Sequence, residues 1–145
     1  MDRTEMDEIM GRHYAAEAAH DLEALMGTLA EGAVHDVIGD PDGALSDPAD
    51  IRCRYAQLFA DFDNERVTPI RRLYGDDFMV DEAMVTARAV GQPFGLPGGN
   101  REVTYRLLHV CEFRDGGISS EHVWLDVAAI VAQLAPSPEA AEAAV

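Results

Sequence analysis

Acid/base chemistry near neutral pH needs imidazoles, or carboxyl groups stripped of water, and one stretch near the end of this 145-residue chain holds several of both. The run VTYRLLHVCEF, the turn RDGG and the run ISSEHVWLD carry His109, His122, Glu112, Glu121 and Arg106. Imidazole changes charge close to physiological pH. A glutamate among apolar neighbours loses hydration, which raises its pKa toward the same range. Glu121 is therefore the first candidate for an acid/base group. The competing reading is a solvated or salt-bridged glutamate near a turn. His35, with the hydroxyls of Tyr14 and Tyr55, is a further polar group that could orient a substrate oxygen. Metal chemistry has no such support. His13/Tyr14 and His35/Asp36 do not make a metal site on spacing alone, and no Cys-x-x-Cys or His-Glu-x-x-His pattern occurs.

These groups need a frame. Asp115-Gly116 is a strong signal for a two-residue hairpin turn, which requires positive φ at both positions. With those two as the loop, Arg114 faces Gly117, Phe113 faces Ile118, and later pairs follow by counting outward. One face then carries Tyr105, Leu107, His109, Cys111 and Phe113 opposite Asp126, Trp124, His122, Ser120 and Ile118. The other carries Arg106, Leu108, Val110 and Glu112 opposite Leu125, Val123, Glu121 and Ser119. By this count His109 and His122 are direct neighbours, and Glu121 lies opposite Val110. Arg106, on the Glu121 face, could hold a substrate oxygen or form a structural ion pair. Both faces are apolar, so both need cover: helices on one side, a partner chain on the other.

Length predicts one domain, residues 1–135, with an acidic flexible tail over 136–145. Hydrophobic content of 48% supports a packed core. A net charge of −16, from 27 acidic and 11 basic residues, argues against nucleic acid and against an anionic membrane surface. Two cysteines, and no secretory or membrane-spanning segment, point to a reducing cytoplasm.

Periodicity predicts a helix over about Thr4 to His20 and a second from the Asp21 cap through Leu29, ended by Gly32. A short strand follows over Ala33 to Ile38, and then the loop GDPDGALSD. Asp47-Pro48 starts a third helix, whose one face holds Ile51, Tyr55, Leu58, Phe59 and Phe62. Strands are expected over Val67 to Tyr74 and Phe78 to Val90. The stretch GQPFGLPGGN is irregular and long enough to act as a rim or lid around Phe94. The hairpin and a helix over Val127 to Leu134 close the chain. The fold class is α+β: a cone-shaped, curved antiparallel or mixed sheet wrapped around three N-terminal helices, with a short C-terminal helix.

This order, with the strings HYAAEAAHDLEALMGTLAEGAV, VDEAMVTA, GLPGGNREV, FRDGGI and EHVWLDVAAIVAQL, resembles the SnoaL-like polyketide cyclase branch of the nuclear-transport-factor-2-like (ketosteroid isomerase-like) superfamily. The resemblance runs from His13 to Leu134. It implies a pocket inside the cone with one or two acid/base side chains, no cofactor and no metal, and a homodimer joined through the convex face. It assigns the side bearing His109, His122 and Trp124 to that convex face, and the Glu121 side to the hollow. If the faces were inverted, the histidine pair would become the active site. The resemblance also places Val123 where the cyclases carry their aspartate base, and His35 where relatives present a pocket-lining aromatic.

Together these give Glu121 and His35 as catalytic candidates, and Tyr14, Tyr55, Phe59, Arg106 and Val123 as substrate-binding ones. The function expected is cofactor-free acid/base chemistry (isomerase, cyclase or hydrolase) on a small apolar, oxygen-bearing molecule. The alternative is a non-catalytic ligand-binding or structural homodimer of the same fold, which Val123 favours.

Overall fold

The computed structural model describes residues 1–136. Helix α1 (Arg3–Ala18) opens with a reciprocal cap: the Glu5 N–H donates to the Asp2 carboxylate, and the Asp2 N–H to that of Glu5. Its buried stripe is Met6, Ile9, Met10, His13, Ala16 and Glu17, at helical spacing. Two residues on, His20 at φ 53 takes the left-handed conformation that stops a helix. Asp21 then caps α2 (Leu22–Met26).

Here the expectation of a second helix through Leu29 fails. The chain turns at Thr28, whose hydroxyl donates to the Leu25 carbonyl, and β1 (Leu29–Val37) begins at once. The Ile118 N–H donates to the Thr28 carbonyl, so the sheet captures this segment. Gly117 permits that approach, because a Cβ there would lie 2.8 Å from the Ala30 nitrogen. Gly32, at φ 69, does not end a helix; it belongs to the irregular stretch where five residues of β1 pass two of its neighbour. The loop after β1 holds a two-residue strand, β2 (Ala44–Leu45), paired to His35 and Asp36.

Helix α3 (Pro48–Asp61) starts as expected, with Asp47 accepting from the Ala49 N–H and proline at the first position. It ends one residue before Phe62, which is extended and opens β3 (Phe62–Tyr74). β4 (Phe78–Ala89) pairs with β3, and with β5 (Arg101–Arg114) over its whole length. A single tight turn, Pro93–Gly95, lies in the connection. β6 (Gly117–Leu125) and α4 (Val127–Leu134), capped by Asp126, complete the order. The six strands run β2-β1-β6-β5-β4-β3, with β1 and β6 parallel and all other neighbours antiparallel. The expected acidic tail lies outside the described residues apart from Pro136.

The hairpin register departs from simple counting at one place. Phe113 does pair with Ile118, but Glu112 pairs with Ser120 and Cys111 with Glu121. Ser119 is an extra residue, a bulge, and it reverses the alternation of everything after it. Ile118, Glu121, Val123 and Leu125 therefore share a face with Tyr105, Leu107, His109, Cys111 and Phe113. Trp124, His122 and Ser120 share the opposite face with Arg106, Leu108, Val110 and Glu112. The β6 half of the expected inward face is correct, and the β5 half is inverted. His109 is thus inside, not on the convex face with His122 and Trp124.

Candidate active site

Helices α1 and α3 cover the inward face of β1, β6, β5 and β4, leaving a cavity of about 690 Å³. Its walls are mostly apolar (Leu58, Phe62, Leu107, Val123, Leu125 and Ile130), and its polar floor is a carboxylate ringed by imidazoles. Glu121, 1% exposed, has His13 Nε2 and His109 Nε2 each 3.4 Å from Oε1 and His35 Nε2 3.8 Å from Oε2. Tyr55 donates its hydroxyl proton to Oε2 at 2.6 Å. Oε1 itself has no hydrogen-bond partner, and neither does Nδ1 of His35.

The proton positions follow from counting donors. Thr28 spends its hydroxyl proton on the Leu25 carbonyl, so at 2.8 Å it accepts from Nδ1–H of His13. Tyr55 spends its proton on Glu121, so at 3.3 Å it accepts from Nε2–H of His13. His13 is therefore a doubly protonated imidazolium beside an ionised Glu121. The electrostatics agree. Burial alone would lower the His13 pKa, but the charge of Glu121 3.4 Å away and the charge of Glu17 together raise it to about 9. Burial likewise pushes the Glu121 carboxyl up, and His13 first, then His109 and His35, hold it well below the usual carboxylate range. The rise expected for Glu121 from its apolar setting is thus overturned by three imidazoles that simple counting did not bring to it.

His109 is the opposite case. Arg72 grips Asp81 through both its carboxylate oxygens, at 3.0 and 3.1 Å. Tyr14 donates to Asp81 at 2.7 Å, so at 2.8 Å it accepts from Nδ1–H of His109. This relay fixes the tautomer and leaves Nε2 as a lone pair beside Glu121. Burial first, with the charges of His13 and Arg72, lowers the His109 pKa against the pull of Glu121 and Asp81. Burial lowers His35 too, despite Glu121, with Arg54, His13 and His109 adding to the fall. Glu17 also lines the cavity, and Glu17 Oε1 is 3.8 Å from His13 Nε2. Burial, opposed by His13 and reinforced by Glu65 and Glu121, pushes its carboxyl up to about 8.

Of the residues singled out in the sequence, Glu121, His35, Tyr55 and Val123 line the cavity. Three do not. Arg106 is on the outer face, 2.7 Å from Glu82, because the bulge that turns Glu121 inward leaves Arg106 outside. Phe59 stacks on His20 with ring centroids 4.5 Å apart, one helical turn away from the inward-facing Tyr55. Tyr14 stands behind His109 and lines a second, smaller hollow of about 200 Å³ with Glu17 and Glu65. His122 is outside, bonded to Asp36 and Ser120.

Sequence reasoning missed His13, Glu17 and Asp81. The signal existed for each: His13 and Glu17 continue the stripe of Met6 and Met10, and Asp81 alternates with Met79, Ala83 and Val85. Among the described residues, no cluster of three or more metal-ligand types is arranged to hold a metal ion, and no helix is long and apolar enough to cross a membrane.

The family model for the SnoaL-like domain matches residues 10–121. Among solved structures, a candidate SnoaL-like polyketide cyclase from a Jannaschia species superposes with a TM-score of 0.82 at 19% identity, over 95% of this chain and 99% of that one. AclR, a candidate hydroxylase from Streptomyces galilaeus, gives 0.78 at 18%, over 92% and 97%. An epoxide hydrolase of M. tuberculosis gives 0.69 at 16%, over 90% of each chain. No curated protein sequence matches.

Proposed function

The chain belongs to the family of SnoaL-like domains, and on that footing we propose that it is a cofactor-free acid/base enzyme acting on a small apolar, oxygen-bearing molecule in the cavity. The observation that carries this reading is the placement of His109, with Nδ1 bonded to the Tyr14–Asp81 relay and Nε2 beside Glu121 in the cavity. His109 accepts a proton from the substrate at Nε2, and the Glu121 carboxylate 3.4 Å away stabilises the imidazolium that forms. Glu121, held ionised at neutral pH, is a poor proton carrier and acts as the counter-charge. Glu17, neutral below about pH 8, can return a proton to an oxygen that gains charge. His35 and Tyr55 shape the floor around the carboxylate. The fold's other members, which include a candidate cyclase and an epoxide hydrolase, are compatible with such chemistry.

The test is turnover, followed by NMR, of hydroxy-epoxides, hydroxy-enones and diketones of terpenoid size. The wild type should convert at least one class, and His109→Phe should lower kcat roughly 100-fold or more. Full activity in that variant would remove His109 from the role. Val123, apolar where the resemblance implies a cyclase base, supports a second reading, a binding protein without turnover. Tight ligand binding with no conversion of any class would select it. The outward apolar residues around Trp124, 41% exposed, support a homodimer through the sheet's outer face in either case.

A further inference from the structure

The cavity floor is short of hydrogen-bond donors, and this restricts what can bind there. Most of the donors around Glu121 are spent. Tyr55 gives its proton to Glu121, Tyr14 gives its own to Asp81, and Thr28 gives its own to Leu25. Both His13 protons go to Thr28 and Tyr55, and the one His109 proton goes to Tyr14. Neutral His35 keeps a single proton; on Nε2 it faces Glu121 Oε2 at 3.8 Å, too far for a hydrogen bond, and Nδ1 is then bare. At the mouth, Arg54 is tied to the His35 and Gly43 carbonyls and to Asp40, and Gln57 to Asp61. On the wall, away from Glu121, the Tyr105 hydroxyl and the neutral Glu17 carboxyl, on α1 one turn from His13, remain as donors.

What remains beside Glu121 is a pair of acceptors: the His109 Nε2 lone pair and, 3.4 Å away, the buried and unpartnered Glu121 Oε1. Two acceptors at that distance with no proton between them repel. A carbonyl or ether oxygen brought to Nε2 would add a third. A ligand O–H supplies the missing proton and relieves the arrangement. An ammonium group would also donate, but the His13–Glu121 pair is already neutral overall, so the floor offers a cation no uncompensated charge.

From the placement of His109 Nε2 beside the unpartnered Glu121 Oε1, we infer that the group a ligand presents to the floor is a hydroxyl donating to Nε2, and not a carbonyl or ether oxygen. The inference rests on the reading of the cavity as a small-molecule site and narrows its substrates to alcohols, phenols or enols. The proton that His109 takes is then the hydroxyl's own, so that oxygen becomes the nucleophile.

Calorimetric titration with borneol, bornyl methyl ether, camphor and bornylamine separates the cases, since the four share one apolar skeleton. Borneol should bind roughly tenfold or more tighter than the ether and the ketone, the size expected when a buried acceptor loses its partner. His109→Phe should erase the difference. Tyr14→Phe frees the His109 tautomer, so borneol's advantage should shrink or reverse toward camphor, which keeps the inference testable if the first variant does not fold. Equal affinities, a preference for camphor, or bornylamine binding tightest in the wild type would overturn the inference. Binding by none of the four would overturn it together with the cavity reading. A borneol preference without turnover of any substrate would leave it standing and sink only the catalytic proposal.

Discussion

Glu121 is surrounded by three imidazoles, of which only His13 is doubly protonated. That pair is buried, so removing one partner leaves an uncompensated charge in a poor solvent. Glu121→Ala should lower unfolding stability by about 3–5 kcal/mol, read by urea denaturation; a loss under about 1 kcal/mol would mean His13 is neutral. The same groups set a pH dependence. His13 has a folded pKa raised to about 9 and Glu17 one raised to about 8. Each contributes stability that is present below its unfolded pKa and lost as pH rises through its folded one. His35, His109 and Glu121, all lowered, act in the opposite sense, and only below the ordinary histidine value. Between pH 6.5 and about 9 the raised groups alone titrate, so unfolding stability should fall across that window by on the order of a few kcal/mol, and Tm with it. Glu17→Gln should flatten the part below about pH 8. A flat Tm profile in the wild type would contradict the imidazolium.

Whether the carboxylate reaches the imidazoles depends on an element, the bulged strand β6. Were Ser119 paired in the ladder instead of bulged, strict alternation would point Glu121, Val123 and Leu125 to the outer face and Trp124 and His122 into the cavity. Deleting Ser119 removes only the unpaired residue and leaves the Phe113–Ile118, Glu112–Ser120 and Cys111–Glu121 pairs in step, so the variant should keep a cooperative melt near the wild-type temperature by circular dichroism. Loss of the cooperative melt in that variant would contradict this assignment of Ser119 as the unpaired residue. A second element-scale strain sits at the cavity mouth, where Phe94 has φ 54 and is 49% exposed. A left-handed backbone costs a bulky residue about 1–2 kcal/mol. Phe94→Gly should then leave stability unchanged or raise it by up to about 1 kcal/mol while weakening apolar ligands, measured by denaturation and calorimetry. A clear loss of stability would make Phe94 an ordinary packing residue.

For the whole molecule, the proposed dimer places Trp124 and the outward residues of β4 and β5 against a second copy. Size-exclusion chromatography with light scattering should give a dimer for the wild type and a monomer for Trp124→Glu, because a buried charge on that face has no partner. A wild-type monomer would remove the proposal. The cone-like α+β order was legible because local signals agreed with it. The Asp21, Asp47 and Asp126 caps, the Asp115-Gly116 turn and the helical stripes of α1 and α3 all depend on neighbours a few residues away. The second helix was misread for the same reason: its leucine stripe is local, whereas the sheet edge that captures Thr28 comes from residue 118.

By itself the sequence determined the fold class, three of the four helix starts, the hairpin turn and Glu121 as a buried acid, since each rests on chemistry carried by adjacent residues. Only the tertiary structure decided which imidazoles meet that acid. A bulge at Ser119 arises from competition between two long strands for register, and ISSE has no residue that announces it. The proton inventory was equally out of reach, because Tyr14, Asp81 and His109 come from three distant segments and acquire their donor and acceptor roles only once they touch.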